Sequence, residues 1–430
     1  MRLLPSPSAV RDRVCRHPVV AGLVIGVLLL VGVVAWVLDR NARARGHRRE
    51  AEAALAVYEF ERARDELRAY LDVYSDDAEA QFWLAQACRR ARVEEFAQAR
   101  TQLDAAARWG WPKSAVTRER ALLAFQSQEG GARSEPPTRL LADPTAERAL
   151  VMEALARGCI RAARLDDAQA WLDRWVAAEP NDWYARLWRG ALLHYMDQPF
   201  KAVADYEYVL QVKPDRAEAR RGLGLTLVEC GFDYPRALRL LEDYDHGHPN
   251  DPDVQVGVAR CRQVLGEPAA RDLLQEVVAT HPDHPDALLA LALDAADRRD
   301  YADALNWLRR LEPWSTAPPD EESLERLLRL EPTASSGSIP TRLMTVYHLT
   351  GNAFRQAGRD GDAESFERRL RQLESDVDEL RAAQSEHARN PGDVAVWRRL
   401  ADLYPRVGMR IDGQYWQFRV QQATRRGPKQ

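Results

Sequence analysis

Apolar positions fall into two arrangements along the chain. Over Val19–Leu38, twenty residues run without a charge, made almost wholly of Val, Leu, Ala, Gly and Ile. As a helix rising about 1.5 Å per residue, such a run spans about 30 Å, the hydrocarbon thickness of a bilayer. Beyond it, apolar and charged positions mix, and an apolar residue followed by a small one recurs with a second small residue about a dozen positions later. Leu155-Ala156 goes with Ala168, Leu223-Gly224 with Ala237, Leu291-Ala292 with Ala304, and Leu400-Ala401 with Gly413. Gly190 with Ala202 and Gly351 with Ala363 keep the same spacing. Helix axes approach to about 8–10 Å only where contact side chains are short, so each pair predicts two crossing helices.

Proline sets the period. Pro180, Pro214, Pro249 and Pro282 each stand twelve residues after an alanine (Ala168, Ala202, Ala237 and Ala270) and recur every 33 to 35 residues. That length suits two helices of three to four turns and two short turns, with proline ending each second helix because it cannot continue one. Regular units are expected over 149–182, 183–216, 217–251, 252–284 and 285–315, with Ala78–Pro112 as a sixth. Weaker units flank them at 44–77, which keeps Phe60-Glu-Arg-Ala63, and at 344–393 and 394–424. The 344–393 unit carries Tyr347, Gly351, Phe354, Gly358 and Ala363 before a long charged helix from Asp360 to about Arg389. The 394–424 unit has Trp397, Leu400, Tyr404 and Gly408 in the same order. A single hairpin cannot bury its apolar face, so the units are expected to stack into a solenoid.

These residues resemble the tetratricopeptide repeat family over most of the chain. The resemblance implies an all-α fold, an α-solenoid of helical hairpins wound as a right-handed superhelix, here preceded by a single transmembrane helix. It implies a groove lined by the first helix of each hairpin, which in this chain places Arg157, Tyr184, Leu187, His194, Tyr195, Arg221 and Arg260 along it. Tyr and Arg are frequent binding anchors, and an extended peptide with acidic groups is the expected guest. Some family members clamp a peptide's terminal carboxylate with Lys and Asn one helical turn apart. The corresponding positions here hold Glu153 with Arg157, Leu187 with Ala191, and Arg221 with Leu225, which disfavours chaperone tails and a mitochondrial import receptor. The overall look is that of the anchored, arginine-rich repeat proteins common in bacteria. The implied function is a membrane-tethered, non-catalytic scaffold for protein or peptide partners. The alternative is a substrate-docking or regulatory subunit of a membrane or envelope enzyme.

The expected organisation is a short tail (1–18), a transmembrane helix (19–38), repeats over 39–126, an irregular insertion over 127–148, a core array over 149–315, an irregular linker over 316–343, repeats over 344–424, and a tail (425–430). The insertion is rich in turn residues, and the linker contains Pro-Pro and Ser-Ser-Gly-Ser around one short helix, Glu321–Leu330. The apolar run exceeds the roughly 7–15 residues of a secretory signal's core and is followed by Asp39-Arg-Asn-Ala-Arg, which fits an uncleaved anchor. Arg2, Arg11, Arg13 and Arg16 before it nearly balance Arg40, Arg43, Arg45, Arg48 and Arg49 after it, so the arginine bias that orients a span does not decide the side. Cys88, Cys159, Cys230 and Cys261 lie in separate repeats, which leans toward a cytoplasmic domain.

Composition narrows the function further. Apolar residues make up 46 % of the chain and the net charge is −4, which gives no electrostatic attraction for nucleic acid. The sequence has no phosphate-binding Gly-rich loop, no His-Glu-x-x-His, no Gly-x-Ser-x-Gly and no Cys-x-x-Cys, so neither catalysis nor a cofactor is expected. The nearest approach to a metal set is His246, His248, His281 and His284 at two consecutive repeat ends, although such turns are also ordinary helix-ending segments.

Overall fold

The computed structural model describes residues 18–129, 136–142, 147–196, 198–267, 269–316, 326–330 and 339–426. Among the described residues all regular structure is helical. The chain forms two compact units, Met1–Leu123 and Ala124–Gln430.

In the first unit, α1 (Pro18–Ala56) is one helix of 39 residues that joins the apolar run to the first hairpin without a break. At about 1.5 Å per residue it is about 58 Å long. Its large apolar side chains described between Leu23 and Leu38 all face outward, while Ala44, Ala51 and Ala54 are buried. These alanines let α2 (Phe60–Leu71) pack closely, and α3 (Ala78–Ala91) and α4 (Phe96–Arg108) form the next hairpin. Arg48 near the end of α1 bonds to Asp77 (2.8 Å) and Glu79 (2.5 Å) at the start of α3. Its guanidinium also lies over the Trp83 ring, tying α1 to the second hairpin. A further helix, α5 (Lys113–Gln126), begins here and places Glu119 against the fully buried Arg89 of α3.

In the second unit, the core array consists of five hairpins. They are α6 (Arg148–Arg161) with α7 (Leu165–Ala178), α8 (Trp183–Tyr195) with α9 (Pro199–Val212), α10 (Ala217–Cys230) with α11 (Tyr234–Gly247), α12 (Pro252–Leu265) with α13 (Ala270–Thr280), and α14 (Pro285–Asp297) with α15 (Tyr301–Thr316). Then follow α16 (Ile339–Gln356), the 30-residue α17 (Asp360–Arg389), α18 (Val394–Arg406) and α19 (Arg410–Arg426). Of the expected linker helix Glu321–Leu330, residues 321–325 lie outside the described set, and 326–328 form a helical turn.

Local sequence accounts for each hairpin. The second helices end at Ala178, Val212, Gly247 and Thr280, each two residues before one of the periodic prolines. Two residues after three of the same prolines, and after Pro391, comes a residue whose side chain caps the next first helix: Asp182, Asp251, His284 and Asp393. Each such cap is worth about 1 kcal/mol. Ala168, Ala202, Ala237, Ala270, Ala304 and Ala363 are all buried at the helix crossings. At Gly224, a Cβ would stand 2.6 Å from Leu241 Cδ2, so this crossing admits no side chain.

First helices of consecutive hairpins touch one another from α8 through α10, α12 and α14 to α16, whereas among the described residues no pair of second helices makes comparable contact. The array is therefore tighter along its first helices, and they form a continuous wall. Far from that wall in sequence, Tyr415 of α19 donates a hydrogen bond to Asp167 of α7 at 3.2 Å, which joins the C-terminal repeats to the start of the array.

Candidate functional site

The wall positions marked by the sequence are mostly interior. Tyr184, Leu187 and His194 of α8 and Arg221 of α10 are buried, with His194 fully so and Arg221 at 1 % exposure. Tyr184 meets Trp175, Trp183 and Trp188 edge-on and acts as packing. Arg157 of α6 is also buried, bonded to Glu153 (3.2 Å) with its guanidinium over the Trp188 ring. His194 Nδ1 lies 2.9 Å from Thr226 Oγ1, whose hydroxyl donates to the Gly222 carbonyl at 2.6 Å. The other imidazole nitrogen is 3.1 Å from Glu229 of α10. Tyr195 and Arg260 are half-buried and keep surface on the wall.

The burial of Arg221 has a physical cause that its own repeat does not show. Its Nε donates to Asp251 (2.8 Å) and its Nη2 to Asp253 (3.1 Å) at the start of the next first helix. Asp253, at 1 % exposure, also faces His284 Nε2 at 3.3 Å and accepts from Arg326, 73 residues further along the chain. Burial alone would raise the Asp253 carboxyl. The His284 hydrogen bond and the Arg326 and Arg221 charges outweigh that and hold it well below the ordinary carboxylate range. One repeat on, Asp286 takes the same position on α14 and is bonded to Arg342 of α16 at 2.9 Å, while its Oδ2 is buried without a hydrogen-bond partner. Burial pulls the Arg342 guanidinium down from its ordinary value despite Asp286 and Glu229 nearby, and the Arg260 charge adds to that.

The wall therefore carries acidic groups as well as arginines, and the acidic half was missed in the sequence. A signal was present: Pro252-Asp253 and Pro285-Asp286 put a carboxylate at the same place in consecutive repeats, 33 residues apart. Their arginine partners come from α10, from the irregular linker and from α16, which no local pattern connects to them.

The four histidines are not gathered around one point. His248 stacks on Tyr244, His281 lies 3.0 Å from the Thr280 hydroxyl, and His284 caps α14 by accepting from the Ala287 N–H while turned toward Asp253. Among the described residues no three His, Cys, Asp or Glu side chains are placed to share a metal ion. Burial pushes the Cys88 and Cys159 thiols up to about 12 and those of Cys230 and Cys261 up to about 11, which leaves them poor nucleophiles.

At the other end of the array, Asp166 starts α7 beside Asp167. It keeps an exposed face, yet the surrounding protein and the Asp167 charge push its carboxyl up to about 6, from an ordinary 3.8. A carboxyl raised in the folded state carries no penalty at low pH, and the protein loses stability as pH climbs from about 4 to about 6. Asp166→Asn is accordingly expected to melt like the wild type at pH 4 and above it at pH 7.5. The gap should open across that window in thermal melts followed by circular dichroism.

Residues 268–320 match the family model described as tetratricopeptide repeat. That match lies inside an array of helical hairpins of the same period, and the two together support a tetratricopeptide repeat architecture. Solved structures similar to it include MamA from Desulfovibrio magneticus RS-1, 20 % identical over 39 % of this chain and 93 % of that one, with a TM-score of 0.33. Another is a tetratricopeptide repeat protein from Parabacteroides merdae, 14 % identical over 67 % of this chain and 98 % of that one, with a TM-score of 0.33. No curated protein matches the sequence.

Proposed function

We propose that this chain is a non-catalytic scaffold, tethered to a membrane by α1, that holds segments of partner proteins against the wall of its first helices. The wall carries this reading: five first helices touch in succession from α8 to α16, with Tyr195 and Arg260 half-buried on two of them, a continuous face suited to an elongated guest. The tether is supported by the apolar side chains that α1 turns outward from Leu23 to Leu38. Because α1 continues into the first hairpin, Arg48 and its partners stand about 15 Å beyond Leu38 along the helix, at about 1.5 Å per residue. The tether raises the local concentration of partners at the membrane, so modest groove affinity suffices.

Chemical crosslinking in cells followed by mass spectrometry tests the scaffold, and carbonate extraction of membranes tests the tether. Several unrelated protein partners are expected, with the chain retained in the membrane pellet. A single dominant enzyme among the crosslinks would replace the scaffold with an enzyme subunit, and release by carbonate would remove the tether.

A further inference from the structure

A groove for acidic peptides is what the sequence suggests, but Arg157 and Arg221 are engaged by acids of the first helices themselves, and the groups that reach in from elsewhere are arginines. Arg326 bonds to Asp253 from a short turn lying between α15 and α16, and Leu327 and Leu330 of that turn are buried while Arg329 is exposed. The turn thus meets the wall through Arg326, with two buried leucines beside it, in the order Arg326-Leu327-Leu328-Arg329-Leu330. Next along the wall, the buried Asp286 Oδ2 has no hydrogen-bond partner although Arg342 holds the other oxygen, and Glu229 adds further negative charge near Arg342. A carboxylate can accept two parallel bonds from one guanidinium, and this one is half satisfied.

We propose that the acidic stretch of the first-helix wall around Asp253 and Asp286 is a docking site for partner segments bearing an arginine followed by leucines, and that the Arg326–Leu330 turn occupies it until such a partner displaces it. This rests on the reading of the wall as a partner-binding surface and names the chemistry of its guest. Two features suit Arg326 to displacement. Its side chain is 23 % exposed, unlike the buried Arg221 behind it, and the carboxylate it would vacate stays neutralised by Arg221 and His284. A tethered occupant competes at a local concentration of the order of millimolar, so it suppresses weak guests and yields to strong ones.

The test is fluorescence anisotropy with the full chain in detergent and a fluorescein-labelled peptide copying residues 323–332. Arg326→Ala, which removes the turn's bond to Asp253 and weakens its hold on the site, is expected to bind the peptide at least tenfold more tightly than the wild type. Replacing the first arginine of the peptide by alanine should abolish that gain, and Arg326→Ala/Asp286→Asn should reduce it. Thermal melts confirm that each variant is folded. If Arg326→Ala gives wild-type affinity, or takes the arginine-free peptide equally well, the proposal is overturned. If it takes neither peptide while crosslinking still recovers partners on the wall, the arginine-leucine chemistry falls and the scaffold reading stands.

Discussion

Asp253→Ala is expected to lower the stability of the Ala124–Gln430 unit by about 3–5 kcal/mol, the usual consequence of removing one partner from a buried ionic cluster. Asp253 is buried and takes charge from Arg221, His284 and Arg326 together. Its loss leaves Arg221, at 1 % exposure, with only one of its two carboxylates, Asp251. Asp253→Asn keeps the shape and part of the hydrogen bonding, so it should cost less. The carboxylate's contribution is present above its ordinary pKa of 3.8 and is lost as pH falls through the depressed folded value. The difference between wild type and Asp253→Ala in urea midpoint should therefore be full at pH 7 and shrink below pH 3.8. A loss under about 1 kcal/mol at pH 7 would mean that the cluster is no stronger than a surface ion pair.

Gly222→Ala is expected to destabilise by about 1–3 kcal/mol, although alanine in a helix interior ordinarily gains about 1 kcal/mol over glycine. A Cβ at Gly222 would stand 2.4 Å from Cζ of Tyr206, and one at Gly190 would stand 3.3 Å from Cε1 of the same ring. Tyr206 belongs to α9, so its ring is a wedge between the first helices of two consecutive repeats. At 1 % exposure it has nowhere to move. Tyr206→Leu removes the part of the ring that meets the new methyl group, so Gly222→Ala should cost little in that background. A double-mutant cycle by urea denaturation checks this through a coupling of about 1 kcal/mol or more. Additive losses would place the ring elsewhere.

The two predictions differ in how far they could be read from the sequence. Gly190, Ala202, Gly224 and Ala237 announced the crossings because a helix contact needs small residues at fixed spacing, and the periodic prolines marked the second-helix ends because a helix cannot run through them. These are local rules, so the hairpins were legible. The first helices were legible too, but not the surroundings of their side chains: Tyr184 is packed among tryptophans, Leu187 is buried, and Arg221 is engaged by the repeat that follows. Asp253 was hidden for a related reason. Its partners come from α10, from the cap of α14 and from a turn 73 residues away, and only the folded array brings them together. The length of α1 was open to reading, since no proline separates Leu38 from Ala56 and one internal Gly46 does not break a helix.

The most direct test of the first-helix wall as the partner surface is photo-crosslinking in cells. A photoreactive phenylalanine analogue is placed either at Tyr195, half-buried on the first helix α8, or at Lys201, exposed on the second helix α9. Partner adducts from position 195 and none from position 201 are the result expected here. Adducts from position 201 with none from 195 would put the binding surface on the second helices and contradict it.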